Sequence, residues 1–197
     1  NEPMNVRMQN SSVANDVSID WIAITKHAPS MPATITLNAE ERGNAPILYY
    51  DFNEVMGTTV LDKAGGNNGT LINGMGLADN CISENCLLAD GVNDHVLVPN
   101  ESRFDFERSD PFAVCTWFNP SQTTSTSHTL VSKLSAANTG WELTLYDGAA
   151  NSDGILVYLI SVWPSNRVTV IYDNVITPNQ WHHICLSYSG NSSASGV

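Results

Sequence analysis

Basic side chains are scarce in this sequence. Only 8 lysines and arginines stand against 20 aspartates and glutamates, which gives a formal net charge of -12. Nucleic acids and anionic membrane surfaces repel a protein of this charge, so we expect neither as a partner. The surplus carboxylates serve solubility or, in part, calcium binding.

Long apolar runs are also absent. The longest, Ile155 to Val162, is far shorter than the ~20 residues that cross a bilayer, so no membrane insertion is expected. The chain starts at Asn1 without a charged and then apolar leader, which indicates a signal peptide that is absent or already removed. We interpret the sequence as an excised piece of a larger secreted or cell-surface protein, whose other domains are among its partners.

Cysteine is sparse too, with four residues in the chain. Cys81 and Cys86 bracket a tight turn, and a secreted chain favours a disulfide between them. Cys115 and Cys185 lie in strand-like runs, where buried free thiols are the simplest expectation. We therefore predict one disulfide and two free cysteines.

No window shows helical periodicity long enough to compete with the strand signals. From Ile47 onward, alternating apolar and polar residues predict an all-β fold, an antiparallel two-sheet β-sandwich. Alternation on both sides of the turn at residues 91–94 predicts that Cys86 to Pro99 is a β-hairpin. The predicted strands span residues 47–52, 69–73, 86–90, 95–99, 112–119, 128–134, 141–146, 155–163, 168–176 and 181–188.

The first 45 residues differ from the rest. Residues 1–30 contain one convincing strand, Val17 to Ile24, which belongs to a preceding β-domain or covers this one. Residues 31–45 indicate a linker, since proline, glycine and charged residues interrupt them, although Thr34 to Leu37 has the pattern of a short strand. Residues 46–197 form the main domain.

Several motifs follow one another in a fixed order. They are Tyr49-Tyr50-Asp51-Phe52-Asn53-Glu54, Gly57 to Asp62, Gly65 to Leu71, Leu87 to Asp94, Pro111 to Pro120, Leu130 to Lys133 and Trp181 to Tyr188. Together they resemble the concanavalin A-like, laminin G-like (LamG-like) jelly-roll family. The resemblance implies a jelly-roll sandwich. Cys115 and Cys185 stand where the family usually has small residues, which leaves open a cross-strand contact.

The resemblance also implies a missing end. The family continues beyond the Trp181 strand to a final strand with an Ile-Asp pair, whereas this sequence stops at Val197, so we expect a jelly roll without its C-terminal strands. Val17 to Ile24 resembles that ending. We predict that it pairs antiparallel with Ile47 to Phe52, within this chain or as the end of an upstream repeat, with Trp21 or Ile22 in the core.

Calcium is the expected cofactor, because many relatives bind it and hard cations take oxygen ligands from loops. The turn that contains Asp90, Asn93 and Asp94 concentrates such oxygens, and Asp51 and Asp62 lie in neighbouring family motifs. These five residues are the predicted metal ligands. The alternative is that Asp90 and Asp94 only hydrogen-bond the backbone of their own turn.

A lectin-like role requires exposed aromatic rings and hydrogen-bonding side chains. Trp141 follows a turn, and Trp163 and Asn166 mark a predicted hairpin tip, so these three are the predicted ligand-binding residues. The sequence thus indicates a non-catalytic carbohydrate-binding module of an extracellular protein. The alternative is a protein-binding adhesion or structural module, whose partner is an extracellular protein rather than a glycan.

Catalytic patterns are weak. Asp105 and Glu107 form the only acidic pair at the spacing of one strand face, and they lie in a polar segment typical of a solvated loop. His182 and His183 are adjacent in a strand and point to opposite faces, so they cannot chelate one metal ion together. We therefore predict no enzymatic activity for this chain.

Overall fold

The computed structural model describes residues 4–7, 17–26, 45–99, 101–121, 127–148 and 152–197. Within these ranges the chain forms β-strands and two 3-10 turns but no α-helix, so the predicted all-β class is confirmed. The 3-10 turns are Glu101–Phe104 and Ala194–Gly196. The strands are β1 (Met4–Arg7), β2 (Val17–Thr25), β3 (Leu48–Tyr50), β4 (Val55–Met56), β5 (Thr59–Val60), β6 (Gly69–Ile72), β7 (Gly76–Ala78), β8 (Cys86–Ala89), β9 (His95–Val98), β10 (Phe112–Pro120), β11 (His128–Leu134), β12 (Gly140–Gly148), β13 (Ser152–Val162), β14 (Asn166–Tyr172) and β15 (His182–Tyr188).

These strands form two antiparallel sheets. The large sheet has nine strands in the order β14-β13-β12-β11-β1-β9-β6-β5-β4. The small sheet has the order β15-β10-β2-β8-β7, and β3 also pairs with β2. Every second side chain points between the sheets, where Ile22 and Phe118 of the small sheet and Val96 and Leu143 of the large one are fully buried. The predicted two-sheet antiparallel sandwich is thus confirmed.

The hairpin prediction for Cys86 to Pro99 is wrong. β8 pairs with β2 and β7 in the small sheet, whereas β9 pairs with β1 and β6 in the large sheet. Residues 90–94 therefore cross from one sheet to the other. Both strands bury one face in the same core, so their alternation is the same as in a hairpin, and alternation does not specify the hydrogen-bonding partner.

The Val17 to Ile24 segment forms β2 and pairs antiparallel with β3, with Ile22 opposite Tyr50 and Ile24 opposite Leu48. This is the within-chain version of the two predicted arrangements, and Ile22 is completely buried in the core. The strand is more central than expected, because it also pairs with β8 and, on its other side, with β10. The short strand suggested at residues 34–37 and most of the suggested linker lie outside the described residues.

Two disulfides connect the four cysteines. Cys81 is joined to Cys86, the predicted pair, and Cys115 is joined to Cys185. The prediction of two free thiols is therefore wrong. Cys115 of β10 lies directly opposite Cys185 of β15, with 4.1 Å between the Cα atoms. Their sequence positions, 70 residues apart, do not reveal that the two strands are neighbours.

Very short strands were not predicted. The hairpin of β4 and β5 and the edge strand β7 contain two or three residues each, too few to show an alternating pattern. In the described residues, no helix is long and apolar enough to cross a membrane.

Candidate functional site

A cleft of about 1020 Å³ opens at one end of the sandwich. We call it the end cleft. It lies where β11 and β13 end and β12 and β14 begin, between the two sheets and beside the loop that precedes β10. Its lining residues are Glu101, Phe104 to Arg108, Phe112, Lys133, Ser135 to Ala137, Thr139 to Trp141, Leu159 to Ser161, Asn166 to Val168, Tyr188 and Ser192.

Gly140 shapes the wall of the end cleft. Its φ is +135°, and a Cβ atom there would lie 1.9 Å from the carbonyl oxygen of Lys133. Only glycine allows this close return of the chain from β11 into β12. The return brings Trp141 of β12 directly opposite Lys133 of β11, so both side chains point inward.

Aromatic rings form the floor of the cleft. Trp141 is only 2% exposed, and its indole N–H donates to the carbonyl oxygen of Phe104 at 3.0 Å. Phe106 stacks on Phe112 with 4.4 Å between ring centroids and lies 6.0 Å from the ring of Trp141. Because Trp141 is buried and hydrogen-bonded, it is a core residue and not the exposed platform that we expected. Among the aromatic residues that line the cleft, Phe106 is the one that is only partly buried.

A buried cation lies beside these rings. Lys133 is 6% exposed, and its Nζ lies 2.5 Å from Glu101 Oε2 and 3.0 Å from Asp105 Oδ1. Burial alone would lower the pKa of Lys133, but hydrogen bonds to Glu101 and Asp105 outweigh it, so the pKa is raised. The two ion pairs attach the loop of residues 101–108 to β11.

The opposite rim belongs to the turn between β13 and β14. The guanidinium carbon of Arg167 lies 4.7 Å from the ring centroid of Trp163 and 5.8 Å from that of Tyr158, a cation–π arrangement. Arg167 also donates to the carbonyl oxygen of Pro164 and to Thr169 Oγ1. Trp163 remains 44% exposed, next to the cleft rather than in its lining. Asn166, exposed at the start of β14, lines the cleft.

One family model matches the chain, that of the laminin G-like domains in the concanavalin A-like lectin/glucanases superfamily, over residues 90–195. The chain belongs to this family. No curated protein and no solved structure matches it. The matched segment includes every residue that lines the end cleft, so the cleft lies within the laminin G-like part of the chain.

The five predicted calcium ligands do not form one site in this laminin G-like domain. Across the described residues, no group of three or more His, Cys, Asp or Glu side chains is placed to hold a metal ion. Asp62 accepts the backbone N–H groups of Tyr49, Ala64 and Asn67, and Asp51 pairs with Lys63 at 3.1 Å. These contacts stabilise loops. The five residues lie in motifs that follow the order of the family, but this order along the sequence did not mean that the residues are close in space.

In the turn between β8 and β9, one carboxylate oxygen has no hydrogen-bond donor. Asp90 Oδ1 accepts the N–H of Val92, and Asp94 Oδ2 accepts the N–H of Asp90. Both side chains thus hydrogen-bond the backbone of their own turn, as the alternative to calcium binding predicted. Asp94 is 3% exposed, and its Oδ1 has no hydrogen-bond donor. Burial raises the pKa of Asp94. A calcium ion needs six to eight oxygen ligands. The backbone carbonyl oxygen of Asn93, which lies in this turn, already accepts a hydrogen bond from the side-chain amide of Asn73.

Sequence reasoning missed Phe106, Lys133 and Arg167. A signal existed for Lys133, since it shares one face of β11 with the apolar Val131, and a charge on an apolar strand face requires partners. Phe106 and Arg167 gave no comparable signal, because the cleft brings their segments together with that of Trp141, which is distant from both in sequence. Asp105 and Glu107 lie in an exposed loop, as expected from the sequence; both line the end cleft, and Asp105 also pairs with Lys133.

Proposed function

We propose that this laminin G-like domain is a non-catalytic carbohydrate-binding module and that the end cleft binds the glycan. The observation that carries the proposal is the juxtaposition of the Phe106 ring with polar side chains around an opening of about 1020 Å³. Sugars present an apolar C–H face together with hydroxyl groups, so a site for them needs an aromatic surface and hydrogen-bonding partners at its edge.

The charge of the cleft favours a neutral glycan. Among the lining residues, Arg108, Lys133 and Arg167 balance Glu101, Asp105 and Glu107, although the whole chain carries a net charge of -12. A locally neutral site has no electrostatic reason to select a polyanion, and the acidic remainder of the surface repels one. The volume supports an oligosaccharide rather than a single sugar residue.

The same charges support a binding role rather than catalysis. A retaining glycoside hydrolase needs two carboxyl groups at the substrate, one of them protonated. Here Glu101 and Asp105 both contact the ammonium group of Lys133, so these carboxylates serve the structure of the loop. We further propose that the domain belongs to an extracellular protein, because disulfides persist in oxidising compartments.

Exposed apolar residues near β14 support the alternative, a protein-binding adhesion module. β14 is an edge strand of the large sheet. Such an edge can pair with a strand of another protein. The exposed large hydrophobic residues of this region are Val162, Trp163, Ile171, Tyr172 and Val175. Tyr172→Ser should weaken binding to a protein partner and leave glycan binding unchanged.

Replacing Asn166 by alanine is expected to weaken glycan binding roughly 5- to 10-fold, since one or two hydrogen bonds are lost. Phe106→Leu should weaken it by a similar factor, because the aromatic surface is lost while the packing volume is largely kept. The measurement is retention on an array of neutral, sulfated and uronic acid-bearing glycans, followed by affinity electrophoresis in the best neutral glycan.

Thr70→Ala is the matched control, since Thr70 is exposed on β6 and lies outside the end cleft. It should bind like the unmodified chain. Retention that is equal in all variants would place the glycan elsewhere, and no retention of any glycan would contradict the carbohydrate-binding proposal itself.

Calcium is proposed only for the turn of Asp90 and Asp94, where Asp94 Oδ1 is the oxygen without a donor. Binding there stabilises the folded state by linkage, so we expect the melting temperature to rise with added calcium and to fall with a chelator. Asp94→Asn should remove this response. A melting temperature that is insensitive to both additions would reject calcium for the domain.

A further inference from the structure

The strand β14 is an edge of the large sheet, and one of its two sides is free. Among the described strands, only β13 pairs with it. Its residues, Asn166–Tyr172, include no lysine and no proline, the residues that commonly protect an edge strand from pairing with another chain. Ile171 and Tyr172 are 45% and 58% exposed. The row of N–H and C=O groups on the free side is therefore available to a further strand.

The two faces of β14 differ in chemistry. Val170 packs against the hydrophobic core, so it points inward, and alternation places Val168 and Tyr172 on the same face. Arg167 therefore points outward. The same alternation, continued by one residue beyond the strand, gives Asp173 the outward direction as well. Both charged residues are exposed. The outer face of β14 thus carries a cation near its start and an anion just beyond its end.

We propose that β14 pairs antiparallel with β14 of a second copy of this domain. A two-fold axis then passes between the two Val170 residues, so each copy offers the same strand to the other. In this register Arg167 of each copy lies opposite Asp173 of the other, and Val168 lies opposite Tyr172. The pairing joins the two large sheets, removes both free edges and forms two ion pairs. Main-chain hydrogen bonds supply the affinity, and the ion pairs select the partner.

Charge complementarity of β14 with itself specifies the register. A shift by one residue would oppose core-facing and outward side chains, which a sheet with one buried face does not tolerate. A two-fold axis at Thr169 or Ile171 would leave Arg167 opposite an apolar side chain. Of these registers, the one centred on Val170 brings the opposite charges together. A strand that complements its own sequence in this way fits a second copy of the same chain.

Both charged groups are able to form these ion pairs. Within the described ranges, Asp173 makes no ion pair of its own. Arg167 donates to the carbonyl oxygen of Pro164 and to Thr169 Oγ1, and its guanidinium has further N–H donors. Stacking on the ring of Trp163, 4.7 Å away, fixes the guanidinium at the edge. Because the cation is already held in place, the ion pair with a second copy costs little side-chain entropy.

A charge swap tests the pairing in the full chain by sedimentation equilibrium. The chain is measured from about 10 μM to about 1 mM, which suits a small interface, and at about 0.15 M salt, which screens the net charge of -12 on each copy. The average mass should rise from that of one chain towards that of two. Arg167→Glu and Asp173→Arg each place like charges opposite one another and should each weaken the dimer about 10-fold. An equimolar mixture of the two variants should dimerise again, because both positions then combine opposite charges.

Asp79→Arg is the matched control, since Asp79 is exposed and follows β7 of the small sheet, whereas β14 belongs to the large sheet. It should associate like the unmodified chain. An unmodified chain that stays monomeric at the highest concentration, or Asp173→Arg that associates as strongly as Asp79→Arg, would overturn the pairing. So would a mixture of two folded variants that dimerises no better than each alone. If circular dichroism shows that Arg167→Glu is unfolded, the comparison of Asp173→Arg with Asp79→Arg decides. None of these results depends on glycan binding.

Discussion

Replacing both Cys115 and Cys185 by alanine is expected to lower the free energy of unfolding by about 4 kcal/mol. This disulfide closes a loop with a sequence separation of 70 residues. A cross-link of that span restricts the unfolded chain strongly, and the chain-entropy cost grows with the logarithm of loop length. In a domain of this size the melting temperature should fall by roughly 10 °C, as measured by circular dichroism.

The second disulfide provides the matched comparison. Cys81 and Cys86 are separated by only 5 residues, so their joint replacement by alanine should cost about 2 kcal/mol on the same model. The two double variants contain the same substitutions and differ in loop length. Equal losses of stability would contradict the entropic account, and four free thiols in the unreduced, denatured protein would contradict both disulfides.

Lys133→Met is expected to destabilise the domain by about 3 kcal/mol, because breaking a buried ion pair leaves a carboxylate without compensation. Glu101, with a side chain 15% exposed, is the group left unpaired, whereas the half-exposed Asp105 can be solvated. The loop of residues 101–108 should then detach from β11. Glycan binding in the end cleft should weaken with it, and urea denaturation monitored by tryptophan fluorescence measures the loss of stability.

Lys63→Met is the control for charge alone. Lys63 also contacts two carboxylates, Asp51 and Glu54, but its side chain is 33% exposed. A solvent-exposed pair of this kind contributes little to stability, so this variant should be destabilised much less than Lys133→Met. Adding Glu101→Gln to Lys133→Met should recover part of the lost stability, since the uncompensated charge is removed. A Lys133 variant as stable as the Lys63 variant would show that the buried ion pairs do not hold the loop.

The pH dependence of this ion cluster has a defined sign. The pKa of Lys133 is raised in the folded state, so its contribution is complete below the pKa of the unfolded chain and is lost as the pH rises through the folded value. The destabilisation caused by Lys133→Met should therefore be present at neutral pH and shrink in strongly alkaline solution.

The sequence by itself determined the fold class. Alternation of apolar residues is a local property of each strand, so strands such as β11 and β15 were located within a residue or two. The pairing of Val17 to Ile24 with the strand at residue 48 was one of the two arrangements predicted from the resemblance, but its position in the centre of the sheet was not predicted. The turn-forming residues glycine, asparagine and aspartate also located the loop at residues 90–94, because they too are a local signal in the sequence.

Only the tertiary structure decided which strands meet and what the ends of the sandwich contain. β8 and β9 entered opposite sheets, Cys115 met Cys185, and Trp141 was buried although it follows a turn. The end cleft joins Phe106, Lys133 and Arg167 from segments that no local pattern connects. Strand alternation states which face is buried but carries no information about the neighbour across the core, and a binding site at the end of a sandwich is made of such neighbours.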